Sequence, residues 1–134
     1  MIEINARMGG GQVRKTHLLA SGVDLVEETL FTAVGIPCNP HVSIENTAVA
    51  YTYVTNQKSG SVDGLATAAK RVADTDKRVA YCKPLVKDGA TIVGSDDALP
   101  DWLLDVMVTD ACPRTALDHV LSVAKALDVP RFVR

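Results

Sequence analysis

The chain has 134 residues, of which 47% are hydrophobic, 22% are charged and 4% are aromatic. This length suits one domain or one domain with a small additional part, and the composition is that of a globular protein with an aliphatic core. The formal net charge of −2, with no block of Lys and Arg, argues against a nucleic-acid partner, which needs clustered positive charge to neutralise phosphates.

The chain opens with a predicted strand over residues 1–5, and a glycine-rich loop follows over residues 6–13. Alternate residues of a strand point to one face, so Glu3, Asn5 and Arg7 are expected on the same side. Carboxylate and amide oxygens are suited to magnesium, and an arginine can bond a phosphate or carboxylate bidentately. The same spacing is also typical of a surface strand with alternating polar residues.

The run Glu3-Ile4-Asn5-Ala6-Arg7-Met8-Gly9-Gly10-Gly11 resembles the last active-site strand of ATP-grasp enzymes. It looks most like that of the carboxylate–amine (amino-acid) ligases and, more distantly, that of biotin-carboxylase-type enzymes. Residues 18–26 are similar to the segment that follows this strand in the family, and Gly35 matches a glycine that ends the next helix. Residues 46–134 resemble the C-terminal domain of these ligases more loosely.

The resemblance implies an enzyme that phosphorylates a carboxylate with ATP and lets an amine attack the acyl phosphate. Magnesium ions would neutralise the charge on the transferred phosphoryl group. The substrate could be an amino acid or another carboxylate, and a bicarbonate-using relative is an alternative. The resemblance assigns Glu3 and Asn5 as metal ligands, Arg7 as the catalytic residue, and four residues to cofactor binding: Gly9, Gly10, Gly11 and Lys15.

In the family, the lysines and the adenine-binding strand precede this motif, whereas Met1 lies two residues before Glu3. The resemblance therefore implies the C-terminal fragment of a ligase, inactive alone, whose partner is a missing ATP-binding lobe. Residues 1–40 would end the ATP-grasp domain and residues 41–134 would form the C-terminal domain. The alternatives are a non-catalytic module that pairs with a separate ATP-binding lobe, and an unrelated domain with a chance motif. Uncovered apolar faces predict a homo-oligomer.

The glycine-rich loop ends in Lys15-Thr16, as a P-loop does. A P-loop needs glycine just before that lysine so that the backbone can wrap the phosphates, and Arg14 stands there instead. In the ligase interpretation the glycines let the backbone approach bound substrate, and Arg14 or Lys15 could meet an anion. The alternative for Lys15 is a solvated helix face.

A short helix is predicted over residues 14–20, broken at Ser21-Gly22, and Asp24 is expected to cap the next helix. We expect Gly35 to end that second helix. Pro37 and Pro40 mark the domain boundary, near residues 36–45. The second helix is predicted to bury a stripe with helical spacing: Val26, Thr29, Leu30 and Ala33.

The remaining chain is predicted to be α+β, with an antiparallel or mixed sheet and helices on one face. Turns are predicted at residues 58–64 and 87–89, and Pro84 indicates an edge strand or a bulge. The last helix begins at Pro113 and is expected to bury Leu117, Val120, Leu121 and Ala124. Strands are predicted at residues 47–55, 78–86, 90–94, 103–109 and 129–133, with a helix at residues 65–73.

Other polar residues give weaker indications. His17 could contact substrate, although a helix surface is the commoner place for such a residue. An acidic loop beside Trp102, made of Asp96, Asp97 and Asp101, could hold a metal or simply be solvated.

Cys38, Cys82 and Cys112 lack the spacing of a zinc site, and free thiols in a reducing cytosol are expected. Neither a membrane span nor a signal peptide is recognisable in the sequence, so we expect a cytoplasmic protein without a membrane partner.

Overall fold

The computed structural model describes residues 8–42 and 47–134, and its fold is α+β. The chain divides into two units, Met1–Ala48 and Val49–Arg134. The elements are α1 (Val13–Ser21), α2 (Leu25–Ala33), β1 (Ala48–Val54), β2 (Gly60–Ser61), α3 (Leu65–Thr75), β3 (Val79–Pro84), β4 (Thr91–Ile92), β5 (Leu104–Asp110), α4 (Pro113–Leu127) and a 3₁₀ helix (Val129–Phe132).

In the first unit, three predicted helix boundaries are confirmed. The helix α1 ends at Gly22, whose φ of 77° is left-handed and whose N–H donates to the carbonyl of Leu18. Asp24 caps α2, because its side chain accepts a hydrogen bond from the Val26 amide at 2.9 Å. Gly35, with a φ of 83°, follows the end of α2 and donates its N–H to the carbonyl of Thr32.

The predicted buried stripe of α2 is wrong. Val26 is half-buried, whereas Thr29, Leu30 and Ala33 are exposed, and 62% of Leu30 is accessible. The helices α1 and α2 contact each other, but each has only nine residues and neither has a buried residue. The sequence therefore has an apolar stripe on α2 that no described element of this unit covers.

The second unit contains a three-stranded sheet in the order β1-β5-β3, so the last strand in sequence is the central one. Strands β3 and β5 are antiparallel, with Tyr81 opposite Met107 and Lys83 opposite Asp105, and the register shifts between Val79 and Tyr81. The predicted edge position of Pro84 is confirmed, since β3 ends the sheet. An edge strand has one side without a ladder, which is where the missing N–H of proline is tolerated.

Both helices of this unit lie on the sheet, with α3 against β3 and α4 against β5, and they also contact each other. They therefore cover the same face, as predicted. All five residues from Leu104 to Val108 are buried, so the central strand is covered on both of its faces. This strand and the inner faces of α3 and α4 form the aliphatic core.

Two predicted segments have a different structure. Residues 58–64 contain the short strand β2, which pairs antiparallel with β4 rather than forming a plain turn. The predicted closing strand at residues 129–133 is instead the 3₁₀ helix, which Pro130 can enter because its φ is already fixed near the helical value. The only strand-like pairing at this end of the described chain follows the 3₁₀ helix, where Val133 forms an antiparallel bridge with Val62.

The buried face of α4 also differs from the prediction. Val120 is fully buried, but Leu117 and Leu121 are 46% and 53% exposed. The face turned to the sheet carries Ala116, Val123 and Leu127 as well as Val120. Apolar residues occupy more of the circumference of this helix than the sheet can cover. The sequence spacing therefore predicted a stripe that lies next to the one that is buried.

Among the described residues, no helix is both long enough and apolar enough to cross a membrane.

Candidate functional site

The glycine loop leads directly into α1. Gly11 adopts a left-handed φ of 60°, and Gln12 is the residue that precedes the helix. The carbonyl of Gln12 accepts the Thr16 amide at 2.8 Å, which starts the helical hydrogen-bond pattern. Glycine populates this left-handed region without the steric cost of a Cβ, so the sharp entry into α1 depends on Gly11.

Two of the predicted cofactor-binding residues lie together at the start of α1. Gly11 and Lys15 line one cleft of about 310 Å³, together with Arg14 and Leu18. The first turn of α1 contains Val13, Arg14 and Lys15 and has no acidic residue of its own. The backbone N–H groups at the start of a helix add partial positive charge, so this end of α1 favours an anion.

Gly9, another of the predicted cofactor-binding residues, lines a different cleft, of about 530 Å³. Most of that cleft is formed by α2, through Leu25, Glu28, Thr29, Thr32 and Ala33, and the remainder by Met8 and Cys38. A hydrogen bond with the Glu28 carboxylate raises the pKa of the Cys38 thiol above its ordinary value. The thiol therefore stays protonated near neutral pH and is a poor nucleophile.

The three glycines are constrained differently. A Cβ on Gly9 would lie 2.9 Å from Cγ2 of Val13, so this position is tightly packed. A Cβ on Gly10 would meet nothing within 4 Å. Gly9 and Gly11 thus have local reasons to be glycine, one steric and one conformational, while Gly10 has neither.

Arg14 is paired with an acidic residue, which changes its predicted role. Its Nε and Nη2 atoms donate to the two carboxylate oxygens of Asp24 at 2.9 and 2.6 Å. The same carboxylate caps α2 through the Val26 amide, so one ion pair joins the start of α1 to the start of α2. The arginine that could have met an anion therefore serves the structure of this unit.

The hydrogen bond from Arg14 holds the pKa of Asp24 well below its usual range. A carboxyl group with a depressed folded-state pKa stabilises the protein above its unfolded pKa of about 3.9, and this stabilisation is lost as pH falls through the folded value. We expect Arg14→Ala to return the titration of Asp24 towards about 3.9. NMR titration of the Val26 amide measures this, and Arg114→Ala, which removes the exposed Arg114–Asp118 pair, is the control. An unchanged titration midpoint in Arg14→Ala would contradict the assigned pairing.

The proposed metal ligands Glu3 and Asn5 and the proposed catalytic residue Arg7 lie outside the described residues. Within residues 8–42 and 47–134, no group of three or more His, Cys, Asp or Glu side chains could hold a metal ion. The metal assignment therefore rests on the resemblance of the first strand.

Two carboxylates of the acidic loop have structural roles. Asp97 accepts a hydrogen bond from the Ser59 hydroxyl, and Asp101 accepts one from the Val93 amide at 2.8 Å. Trp102 is 57% exposed, and its ring stacks on that of Tyr53, with centroids 4.3 Å apart. His17 is exposed on α1, where its carbonyl accepts a hydrogen bond from the Ser21 hydroxyl.

One buried polar residue escaped the sequence reasoning. Asp105 lies on the central strand, is only 5% exposed, and accepts a hydrogen bond from the Tyr81 hydroxyl at 3.2 Å. Lys83 places its Nζ 5.3 Å from the centre of the Tyr81 ring. Burial, together with the charge of Asp105, raises the pKa of the Cys82 thiol to about 11. The available signal was a carboxylate inside the apolar run of residues 103–108, because a buried charge is costly unless it has partners.

No family model, no curated protein and no solved structure matches this chain.

Proposed function

We propose that this chain is the C-terminal part of an ATP-dependent carboxylate–amine ligase of the ATP-grasp type, acting in the cytoplasm. Its substrate would be an amino acid or another carboxylate. The observation that carries the proposal is the cleft at the start of α1, which Gly11 and Lys15 share. These are two of the positions at which the resemblance expects the nucleotide.

The chemistry of this cleft suits a phosphate group. The start of α1 offers backbone N–H groups and the positive end of the helix dipole, and Lys15 adds a compact charge. Gly11 turns the loop without a side chain that would keep a ligand away from the backbone. The proposal assigns the phosphate contact to Lys15, because it lines the same cleft as Gly11 and the resemblance gives it to cofactor binding.

In this proposal Glu3 and Asn5 hold magnesium, and Arg7 holds the transferred phosphoryl group or the acyl phosphate. Bound magnesium supplies positive charge that neutralises the phosphates during transfer. In the family that the motif resembles, adenine is bound by a strand that precedes the motif. The proposal therefore assigns adenine recognition to an ATP-binding lobe, on a preceding segment or on another chain, and expects residues 1–134 alone to be inactive.

A second candidate function is a non-catalytic binding module that pairs with a separate ATP-binding lobe. The observation in its favour is the exposed apolar surface of the first unit. Leu30, Phe31, Val34 and Ile36 are 62%, 39%, 74% and 49% exposed within a stretch of seven residues. Apolar surface of this kind is typical of a binding face. The predicted self-association, through residues 1–35 of two copies, would cover Leu30 of this surface.

We expect the chain to bind magnesium triphosphate, and we expect Lys15→Ala to weaken that binding about 10-fold, since a hydrogen bond to a charged group contributes about 1.5–3 kcal/mol. Glu3→Gln should weaken it only when magnesium is present, because its proposed partner is the metal. Amide NMR shifts at Gly11 and Lys15 report the binding.

Lys70→Ala is the matched control, since Lys70 is exposed on α3 in the other unit. Equal affinities of Lys15→Ala and Lys70→Ala would refute the phosphate site. Release of ADP from ATP by these 134 residues, in amounts equal to the protein, would refute the assignment of adenine recognition to another lobe.

A further inference from the structure

A separate cleft lies in the second unit, between α3 and the C-terminal end of α4. Its volume is about 250 Å³, and its lining combines two arginines, Arg71 and Arg131, with five apolar residues: Ala68, Val72, Ala126, Leu127 and Phe132. None of these residues belongs to the site at the start of α1.

The apolar part of the cleft is fixed by the core. Ala68 and Leu127 are only 7% and 5% exposed, and Val72 and Phe132 are half-buried. The carbonyl of Phe132 accepts the Asp63 amide at 2.9 Å, which anchors the 3₁₀ helix beside α3. A ligand would thus meet a formed surface rather than one that must first be ordered, and less conformational entropy would be lost on binding.

The two arginines are weakly engaged. Arg71 makes no ion pair with any described residue. Arg131 lies 3.6 Å from the Asp128 carboxylate, in a pair whose side chains are 76% and 52% exposed. Exposed pairs of this kind contribute little to stability, so Arg131 can exchange Asp128 for a ligand at small cost.

We infer that this cleft binds a small carboxylate that carries a short apolar tail. The planar guanidinium group matches a carboxylate with two parallel hydrogen bonds, and two such groups fix the charged end of the ligand. The tail is removed from water against the half-buried side chains of Val72 and Phe132. The volume of about 250 Å³ lies below the roughly 300–1,000 Å³ of pockets for drug-sized molecules, so the ligand is expected to be smaller than those.

The test is a titration of the whole chain with hexanoate, followed by amide NMR shifts at Ala68, Val72 and Leu127. We expect Arg71→Ala and Arg131→Ala each to weaken binding about 10-fold, as the loss of a hydrogen bond to a charged group does. Arg71→Lys should lose part of that affinity, because lysine keeps the positive charge but lacks the planar guanidinium group that bonds a carboxylate bidentately. Arg114→Ala, on the same helix as Leu127 and 80% exposed, should bind as the unchanged chain does.

Two further ligands separate the contributions of charge and tail. Hexan-1-ol, which has the tail without the charge, and inorganic phosphate, which has the charge without the tail, should each bind at least about 10-fold more weakly than hexanoate. The inference is overturned if hexanoate shifts none of the three amides, or if either comparison ligand binds as tightly. Equal affinity of Arg71→Ala and Arg114→Ala for hexanoate would overturn it as well.

Discussion

Replacement of Leu65 by alanine is expected to lower the free energy of unfolding by about 2–5 kcal/mol, the usual range for a buried leucine. Leu65 is the first residue of α3 and is fully buried. The truncation removes apolar contacts with the core and leaves a cavity, because a helix packed on a sheet can close only part of the space.

The matched control is Leu121→Ala on α4, where the leucine is 53% exposed. Its truncation leaves no enclosed cavity and should cost less than about 1 kcal/mol. Urea denaturation of both variants, followed by circular dichroism, measures the difference. The two variants also test which face of α4 is buried, because the sequence pattern assigned Leu121 to the core and the structure leaves it exposed. A larger loss for Leu121→Ala than for Leu65→Ala would show that α4 packs through the predicted stripe.

Replacement of Gly94 by alanine is expected to destabilise the second unit by about 3 kcal/mol, at the upper end of the usual cost of overpacking. Gly94 is buried where residues 94–96 cross residues 56–59. Its Cβ would overlap the backbone of Gln57 and Lys58, which cannot rotate away as a side chain can. The substitution must therefore separate two segments that hydrogen bonds hold together, among them the Ser95 amide with the Asn56 carbonyl.

Two other glycines provide graded controls for Gly94. A Cβ on Gly89 would meet nothing within 4 Å, but its φ of 84° is strained for alanine, at about 1–2 kcal/mol. Gly10 has open space and no positive φ, so Gly10→Ala should be close to neutral. Thermal unfolding should therefore rank the losses as Gly94 first, Gly89 second and Gly10 last. A Gly94 variant as stable as the Gly10 variant would mean that the two segments are not in contact in solution.

Local chemistry made some features predictable from the sequence. Asp24 had to accept an amide hydrogen bond at the start of α2, and Gly22 and Gly35 had to take up the left-handed conformation at helix ends. Pro84 could occupy only an edge or a bulge, and it lies on the edge strand. Each of these outcomes depends on one residue and its immediate neighbours, so no knowledge of the tertiary structure was needed.

The errors arose where the answer depends on distant residues. On α4, the apolar spacing is compatible with either Leu121 or Val123 facing the sheet. The packing of α4 against β5 buries Val123. In the candidate site, Gly11 and Lys15 line one cleft, and their cofactor-binding role stays a prediction. The sequence did not reveal that Asp24, ten residues away, would engage Arg14. It also passed over Asp105, whose partner Tyr81 comes from another strand.

The central position of β5 has a consequence for synthesis on the ribosome. The sheet order β1-β5-β3 means that the two outer strands emerge first and that neither has its neighbour until residues 104–110 follow. At about 5–20 residues per second, residues 55–103 delay the partner of β1 by several seconds. During that interval both strands present open edges to other nascent chains. The sheet forms only when its middle strand is available, so translation pauses before residue 104 would prolong the exposure of both open edges to aggregation.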